Sequence, residues 1–263
     1  MPELPEVVYF KKYIDATSLH QQLSDVEIEN DTILSGITPA GLQKHLKECQ
    51  FQSTSTHGKY LFIRTDKGCE LMMHFGMTGE PVYYKKPDEK PGYPRVTFHF
   101  ANGYHLAFNC MRMLGEVGIV ESRESFIREK DLGPDAYSEA FDLTTFHELL
   151  SDKRGMVKSA LMDQSFIAGI GNECSDEILY QAGIHPKTTI AGLSDSNIKL
   201  IYEKMQEVIE EKIDSNMEHR KLPDSYILSH REEGSECPKC GGTIEKIKVS
   251  GRNGYYCPKC QQN

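Results

Sequence analysis

The pattern of apolar and polar positions divides the chain into a strand-rich first half and a helix-rich second half. Apolar residues recur at helical spacing near the start, at Leu4, Val7, Phe10 and Ile14. This spacing predicts an amphipathic opening helix. Short apolar runs follow, and they predict strands at 60–64, 71–75, 96–100, 104–108 and 117–120. The segment 101–103, Ala-Asn-Gly, predicts a hairpin turn between two of these strands, because glycine adopts positive φ.

From about residue 140 onward the apolar positions follow the helical period instead. Thr145 and Glu148 are spaced as a capping box, which predicts the start of one helix. A second helix is predicted to end at Gly183. Ser194 or Ser196 is predicted to cap a third, long helix. The face of that helix predicted to pack in the core consists of Ile198, Ile201, Met205, Val208 and Ile209.

The composition is that of a globular protein with an acidic balance. Of the 263 residues, 38% are apolar, and 30 Lys and Arg oppose 39 Asp and Glu, so the formal net charge is −9. Nucleic-acid binding is driven by neutralisation of phosphates. An acidic chain that binds nucleic acid therefore needs a local basic groove, and its binding is expected to be sensitive to salt.

The location of the protein is predicted from what the chain lacks. No apolar run approaches the roughly 18 residues of a membrane span. The first ten residues, MPELPEVVYF, carry two glutamates and no basic segment, unlike a secretory signal. We therefore expect a cytoplasmic protein with no membrane partner.

The eight cysteines fall into two groups. Four of them form a C-x2-C-x16-C-x2-C pattern, namely Cys237, Cys240, Cys257 and Cys260. Two such pairs, joined by a predicted β-hairpin, suit tetrahedral Zn²⁺, and with four thiolates no coordination position stays open for catalysis. We therefore predict one structural zinc ion. The alternative, a redox-active dithiol, more usually shows a single C-x2-C beside a βαβ unit. The scattered group, predicted to be buried, is Cys49, Cys69, Cys110 and Cys174.

Three further motifs, in order along the chain, accompany the cysteines. They are PELPEV at 2–7, GKYL at 58–61, and GIGN at 169–172 followed by Asp176-Glu177. HFGMTG at 74–79, LGP at 132–134 and AGIHP at 182–186 fit the same series. Together they make the sequence resemble the formamidopyrimidine-DNA glycosylase / endonuclease VIII family of base-excision repair enzymes. The resemblance runs essentially from end to end.

The resemblance implies a mixed α+β protein of three domains. We expect an N-terminal catalytic β-sandwich with a leading helix at 1–134 and a helix–two-turn–helix DNA-binding domain at 135–230. A four-cysteine zinc finger built on a β-hairpin is expected at 231–263, with DNA in the cleft between the domains. The implied partner is double-stranded DNA that contains damaged bases or abasic sites, and the implied state is a nucleoid-associated monomer.

The resemblance also implies a Schiff-base mechanism. Once Met1 is removed, Pro2 carries a secondary amine, and an α-amino group titrates near pH 8, so a useful fraction is neutral and nucleophilic. In the family this amine attacks C1′ of the damaged nucleoside and expels the base, and the resulting covalent link leads to β- and then δ-elimination. Glu3 is the implied general acid/base at the sugar, and Lys59 transfers protons and holds a phosphate.

Further residues are assigned to DNA by the same matching motifs. Asn172 and Arg252 are expected to grip backbone phosphates, Arg252 also assists the second elimination, and Lys153 lies where a DNA-contacting lysine is expected. Flipping a base out of the duplex leaves a hole that must be filled. Met77 and Leu114 match the family's apolar wedges, and Arg112 matches the residue facing the orphaned base.

The chain departs from the purine-repair branch at four places. The run 110–115 is CMRMLG, where that branch usually has DPRRFG. Glu173 follows Asn172, where the family carries an apolar residue, and Tyr93 replaces a histidine that contacts DNA. The stretch 215–229 is short and lacks glycine. The resemblance therefore predicts the Pro2 chemistry but not a preference for 8-oxoguanine.

Three hypotheses follow from the sequence. The first is a bifunctional DNA glycosylase and abasic-site lyase that acts on oxidised or ring-opened bases. The second is a catalytically silent protein on the same scaffold that binds damaged or unusual DNA, which the acidic charge favours. The third, a zinc-ribbon adaptor for RNA or protein, explains only the cysteines.

Overall fold

The computed structural model describes residues 2–262, apart from the side chain of His219. The chain forms two compact units. One contains Pro2 and residues 6–131, and the other contains residues 3–5 and 132–262. The division between residues 131 and 132 lies close to the predicted end of the first domain at 134, and the boundaries at 134 and 230 stay predictions. Among the described residues, no helix is both long and apolar enough to cross a bilayer.

The first unit is a β-sandwich. Its strands are β1 (Leu23–Ile28), β2 (Phe51–His57), β3 (Tyr60–Thr65), β4 (Glu70–His74), β5 (Gly79–Tyr84), β6 (Pro94–Phe100), β7 (His105–Cys110) and β8 (Glu116–Val120). All pairings are antiparallel, in the orders β1-β6-β7-β5 and β2-β3-β4-β8. The five predicted strands are confirmed with ends shifted by a residue or two.

The core of the sandwich lies between the inner faces of the two sheets. Phe51 of β2 contacts Phe98 and Phe100 of β6 edge-on, with ring centroids 5.7 and 6.0 Å apart. Each such aromatic pair adds about 0.5–1.5 kcal/mol to stability beyond the contribution of the apolar surface that it buries. Helices α1 (Leu4–Thr17) and α2 (Pro39–Leu46) supply further apolar side chains, and α3 (Arg123–Glu129) ends the unit. The predicted opening helix is confirmed as α1.

The second unit is helical and ends in a hairpin. Its elements are α4 (Leu143–Ser151), α5 (Val157–Leu161), α6 (Asn172–Gln181), α7 (Asp195–Asp214), β9 (Glu245–Val249) and β10 (Arg252–Tyr256). Short 3-10 turns lie at 31–33, 87–89, 190–192, 219–221 and 227–230. The mixed α+β class with a sandwich, a helical region and a cysteine-rich hairpin is therefore confirmed.

The predicted helix ends have mixed outcomes. Gly183 has a φ of +68° one residue past the α6 cap, as expected for a helix stop. Ser194 caps α7, and the predicted apolar face of that helix is buried. The capping box at Thr145 and Glu148 is wrong. Asp142 caps α4 instead, because its carboxylate accepts the Thr145 backbone N–H at 2.8 Å.

The connection that follows α7, residues 215–236, is partly buried. Tyr226, Ile227 and Leu228 lie in the interior. Hydrogen bonds to Glu177 of α6 hold this segment against the helix. The Glu177 carboxylate accepts the backbone N–H of Leu228 at 2.9 Å and the amide of Gln181 at 2.6 Å. Burial raises the pKa of Glu177 to about 7, although these hydrogen bonds oppose the shift.

Glu177 makes the stability of the second unit depend on pH. Between the ordinary pKa of 4.5 and about 7, the unfolded chain releases the proton that the folded chain keeps. Stability is therefore expected to fall as pH rises from 4.5 to 7 and to level off above, by on the order of 3 kcal/mol.

Urea unfolding at a series of pH values measures how the free energy of unfolding changes with pH, which is the slope at issue. Glu177→Gln cannot ionise and should flatten the curve between pH 4.5 and 7, whereas Glu210→Gln, at an exposed site on α7, should leave the slope unchanged. An unchanged slope in Glu177→Gln would assign the pH dependence to another group.

Candidate active site

The carboxylate of Glu3 is bound at the N-terminus of α6. It accepts the backbone N–H of Gly171 at 2.8 Å, of Glu173 at 3.0 Å and of Cys174 at 3.1 Å. The first N–H groups of a helix lack intrahelical partners and carry partial positive charge, so an acidic side chain is favoured there. Glu3 is 1% exposed. Although it directly precedes α1, its side chain caps a different helix.

Two glycines of the GIGN motif make this contact possible. A Cβ on Gly171 would lie 2.2 Å from the Glu3 carboxylate. A Cβ on Gly169, which has a φ of +114°, would lie 2.5 Å from the side chain of Leu4. The Leu4 backbone N–H also donates to the Gly169 carbonyl at 3.1 Å. Glycine is therefore required at both positions for residues 3–5 to pack here.

Asn172 and Arg252 lie on elements that touch each other. Asn172 is the first residue of α6, and its side-chain amide donates to the carbonyl of Asn253 at 2.8 Å. Arg252 is exposed at the first position of β10, directly after the tight turn at Ser250-Gly251. Both turn residues have positive φ, as a two-residue hairpin loop requires. The elements that carry the two predicted phosphate-binding residues are thus in contact.

Asp176 joins the hairpin to the helices around it. Its carboxylate accepts hydrogen bonds from Lys158 of α5, from Arg231 Nε at 2.9 Å and from the Tyr255 backbone N–H at 3.2 Å. Lys158 and Asp176 are fully buried. A Cβ on Gly254 would meet both side chains, so only glycine lets β10 approach this closely. We call Asp176, Lys158 and Arg231 the Asp176 cluster.

The acid beside Asn172 is balanced by the same cluster. Arg231 Nη1 lies 3.8 Å from the Glu173 carboxylate. The negative charge of Glu173, which departs from the family pattern, therefore faces a fixed cation.

Lys153 is also engaged within its own unit. Its ammonium contacts the Asp163 carboxylate at 2.8 Å and lies 5.1 Å from the ring centroid of Phe166. Lys153 is half-buried, so a contact with DNA stays a prediction for this residue.

In the first unit, Pro2 and Lys59 are both buried. Pro2 lies two residues before the start of α1, so it is not the first residue of that helix. Lys59 is 8% exposed in the turn between β2 and β3, after Gly58 with a φ of +55°. This burial excludes a solvated surface lysine. Burial lowers the pKa of His74, and the charge of Lys59 lowers it further, so the two groups are electrostatically coupled.

Met77, Arg112 and Leu114 lie on two loops that touch. A Cβ on Gly76 would lie 2.3 Å from the Leu114 carbonyl oxygen, and the Arg112 backbone N–H donates to the Thr78 hydroxyl at 3.0 Å. Met77 is 41% exposed and Leu114 is 52% exposed. Neither is a core residue, so both apolar side chains are presented to solvent together with exposed Arg112.

The four predicted zinc ligands converge. Their Sγ atoms all lie within 4.8 Å of one another. The Cys237–Cys260 and Cys240–Cys257 separations are 3.8 and 3.5 Å, close to the roughly 3.8 Å implied by tetrahedral Zn–S bonds of about 2.3 Å. Burial alone would raise the pKa of the Cys237 thiol. Hydrogen bonds from the Tyr180 hydroxyl and from nearby backbone N–H groups outweigh the effect of burial and lower this pKa to about 6. The site therefore fits zinc.

The Asp176 cluster has no counterpart in the sequence predictions. Asp176 and Glu177 were singled out only as part of a motif, and Lys158 and Arg231 were not singled out. One signal was available: Asp176 and Glu177 precede apolar Ile178 and Leu179 inside a helix, and adjacent acids on a buried helix need partners.

Three segments of the chain match known families. Residues 1–117 match the formamidopyrimidine-DNA glycosylase N-terminal domain, residues 132–222 match the formamidopyrimidine-DNA glycosylase H2TH domain, and residues 234–263 match a zinc finger found in FPG and IleRS. The chain is also 30% identical to the formamidopyrimidine-DNA glycosylases of Pelotomaculum thermopropionicum and Streptococcus pneumoniae, over 275 and 278 residues. Each alignment covers 100% of this chain and 99% of the relative.

Solved structures of the Lactococcus lactis enzyme are similar over their whole length. Formamidopyrimidine-DNA glycosylase bound non-covalently to DNA with an abasic site has a TM-score of 0.88 and 27% identity, and the match covers 99% of this chain and 100% of that one. The wild-type enzyme bound to DNA containing N7-benzyl-Fapy-dG has the same TM-score and identity, with 100% coverage of both chains.

The Asp176 cluster is expected to dominate the stability of the second unit. Asp176→Ala leaves the buried Lys158 ammonium and the half-buried Arg231 without their carboxylate, and removing one partner of a buried pair costs about 3–5 kcal/mol. Lys199→Ala breaks an exposed pair with Glu203 and should cost less than about 0.5 kcal/mol. Chemical unfolding measures both; equal losses would contradict the importance of the cluster.

Proposed function

Because the chain belongs to the formamidopyrimidine-DNA glycosylase family, we propose that it excises oxidised or ring-opened bases from double-stranded DNA and then cleaves the strand. The observation that carries this proposal is the burial of Glu3 and Lys59, which are 1% and 8% exposed. Burying charged groups is costly, and these two lie in the PELPEV and GKYL motifs that carry the resemblance to the family. The relatives are named formamidopyrimidine-DNA glycosylases, which supports the base-excision part of the proposal.

The nucleophile in this proposal is the secondary amine of Pro2, freed by removal of Met1, which lies outside the described residues. The nitrogen lone pair attacks C1′ of the damaged nucleoside, and the C1′–N bond breaks with its electrons leaving on the base. The bound amine then loses its proton, and the C1′–O4′ bond breaks as Glu3 protonates O4′, which opens the sugar ring and forms the iminium. The iminium acidifies the C2′ proton, whose loss expels the 3′ phosphate by β-elimination. A second, δ-elimination expels the 5′ phosphate.

Glu3 and Lys59 supply the proton transfers. Glu3 is the general acid/base at the sugar ring, and the three backbone N–H groups of α6 hold its carboxylate in one position. Lys59 provides an ammonium that binds the phosphate beside the lesion and exchanges protons during elimination. Arg252 assists the second elimination from the hairpin.

The remaining predicted residues hold the DNA. Asn172 uses one amide N–H for Asn253, and its other N–H donates to a phosphate oxygen, as does exposed Arg252. Lys153 adds a cation. Met77 and Leu114 fill the gap left by the flipped base, and Arg112 faces the orphaned base.

We propose a ring-opened purine as the substrate class, with no preference for 8-oxoguanine. A solved relative binds DNA that contains N7-benzyl-Fapy-dG. Leu114 and Met113 stand where the purine-repair branch has an aromatic residue and a second arginine. We further propose that the protein acts as a monomer on cytoplasmic, nucleoid DNA.

One structural Zn²⁺ is proposed at the four cysteines. It would hold the two C-x2-C turns together and so fix the hairpin that carries Arg252. With four thiolates present, no position remains for substrate. The zinc therefore takes no part in the reaction.

A second candidate is a silent DNA-binding member of the family. The net charge of −9 and the methionine at position 113 favour it, since both weaken contact with phosphate. Arg231 beside Glu173 counts against it, because that arginine offsets the acid next to Asn172.

Borohydride trapping tests the Pro2 mechanism. Protein that begins at Pro2 is expected to give a covalent adduct with an abasic duplex, visible under denaturing conditions and mapped to Pro2. The matched control is the same chain with a retained N-terminal extension, which has no amine at Pro2 and should bind the duplex without being trapped. An adduct on the extended chain would assign the nucleophile to a lysine instead.

Metal analysis tests the zinc. Purified protein should contain one zinc per chain, and Cys257→Ser should contain almost none, because three thiolates hold the ion far more weakly. Cys110→Ala removes a buried cysteine of the sandwich and should keep the full zinc content. Zinc retained in Cys257→Ser would contradict the proposed ligand set.

A further inference from the structure

Two histidines face each other on the outer surface of the β1-β6-β7-β5 sheet. His99 of β6 and His105 of β7 are directly paired in the ladder. Their neighbours Phe98, Phe100 and Leu106 point into the core, so the imidazoles lie on the opposite face. Both histidines are half-buried, and neither has a role in the proposed glycosylase reaction.

The distance between the rings suits a shared proton, and it also suits two ligands on one metal ion. The two Nδ1 atoms are 2.8 Å apart, which is a hydrogen-bond distance. With metal–nitrogen bonds of about 2.0–2.1 Å, adjacent ligand nitrogens on a square-planar or octahedral ion lie about 2.9 Å apart, whereas those on a tetrahedral ion lie about 3.4 Å apart. The nitrogen spacing therefore matches adjacent ligands at a right angle better than a tetrahedral zinc site.

A carboxylate lies behind one of the rings. Glu27 Oε2 of β1 lies 3.4 Å from His99 Nε2, which favours a proton on Nε2 and leaves the Nδ1 lone pair facing His105. Metal-bound histidines commonly have a carboxylate at the far nitrogen in this way. The other charged neighbour, Lys90, is paired with Glu29 at 2.7 Å.

The second ring is held in place by an aromatic neighbour. Tyr84 packs against His105 with ring centroids 5.0 Å apart, which restricts the rotation of the imidazole. Neutral imidazole is the form that binds metals.

We propose that His99 and His105 form a second metal site, a two-histidine chelate for a divalent transition metal such as Ni²⁺. Each ring contributes Nδ1, Glu27 orients His99 from behind, and water completes the coordination. The metal replaces the proton shared between the two Nδ1 atoms, and that proton moves to Nε2 of His105. This site is separate from the four cysteines and does not depend on the glycosylase proposal.

Equilibrium dialysis of tag-free, zinc-loaded protein against Ni²⁺ tests the site. Wild type should bind one Ni²⁺ per chain with its zinc content unchanged. His99→Gln and His105→Gln should each weaken binding at least about 10-fold, and Glu27→Gln should weaken it about 10-fold, as is usual for partners behind a metal-bound histidine. His147→Gln is the matched control, since that exposed histidine pairs with Asp195 in α7.

Ring NMR signals of the wild type give a second readout that needs no variant. Paramagnetic Ni²⁺ should broaden the signals of His99 and His105 first. No Ni²⁺ bound with zinc retained, broadening that begins at other histidines, or equal weakening in His147→Gln would each overturn the proposal.

Discussion

The carboxylate of Glu3 at the N-terminus of α6 is the contact on which the arrangement of the candidate site depends. Three backbone N–H groups that the helix cannot satisfy itself are bound by one buried acid. This contact and the packing of Leu4 on Gly169 make residues 3–5 part of the second unit, although they precede the whole sandwich in the chain. The residue that follows the proposed nucleophile is thereby fixed by residues far along the sequence.

The same helix organises the rest of its unit through side chains spaced four residues apart. Asn172 contacts Asn253, Asp176 joins Lys158, Arg231 and the Tyr255 backbone, and the Tyr180 hydroxyl lies 3.1 Å from Cys237 Sγ. Residues four apart share one helix face, so this face of α6 supports the second unit from the start of β10 to the four cysteines. Arg252 therefore depends on α6 for its position, although the two make no direct hydrogen bond among the described contacts.

Local patterns in the sequence predicted the parts of the molecule that local forces determine. The opening helix, five strands, a serine cap at 194 or 196 and the four cysteines follow from spacing and composition alone. The Glu3 contact joins residues 168 to 171 positions apart, and the contacts of Asp176 span 18 to 79 positions. The periodicity of apolar residues along the sequence cannot predict such pairings, because they arise only when distant elements pack. Asp142 displaced the predicted cap of α4 for a simpler reason: a carboxylate three residues before Thr145 competes for the same N–H.

The central claim, that this chain is an active glycosylase and lyase, is tested most directly by the products from a duplex with a single ring-opened formamidopyrimidine-guanine. An active glycosylase and lyase should release the free damaged base and leave a one-nucleoside gap with phosphate at both ends, as sequential β- and δ-elimination require. Tight binding of the duplex by protein that begins at Pro2, with the base and strand intact, would contradict the account and favour a silent DNA-binding protein.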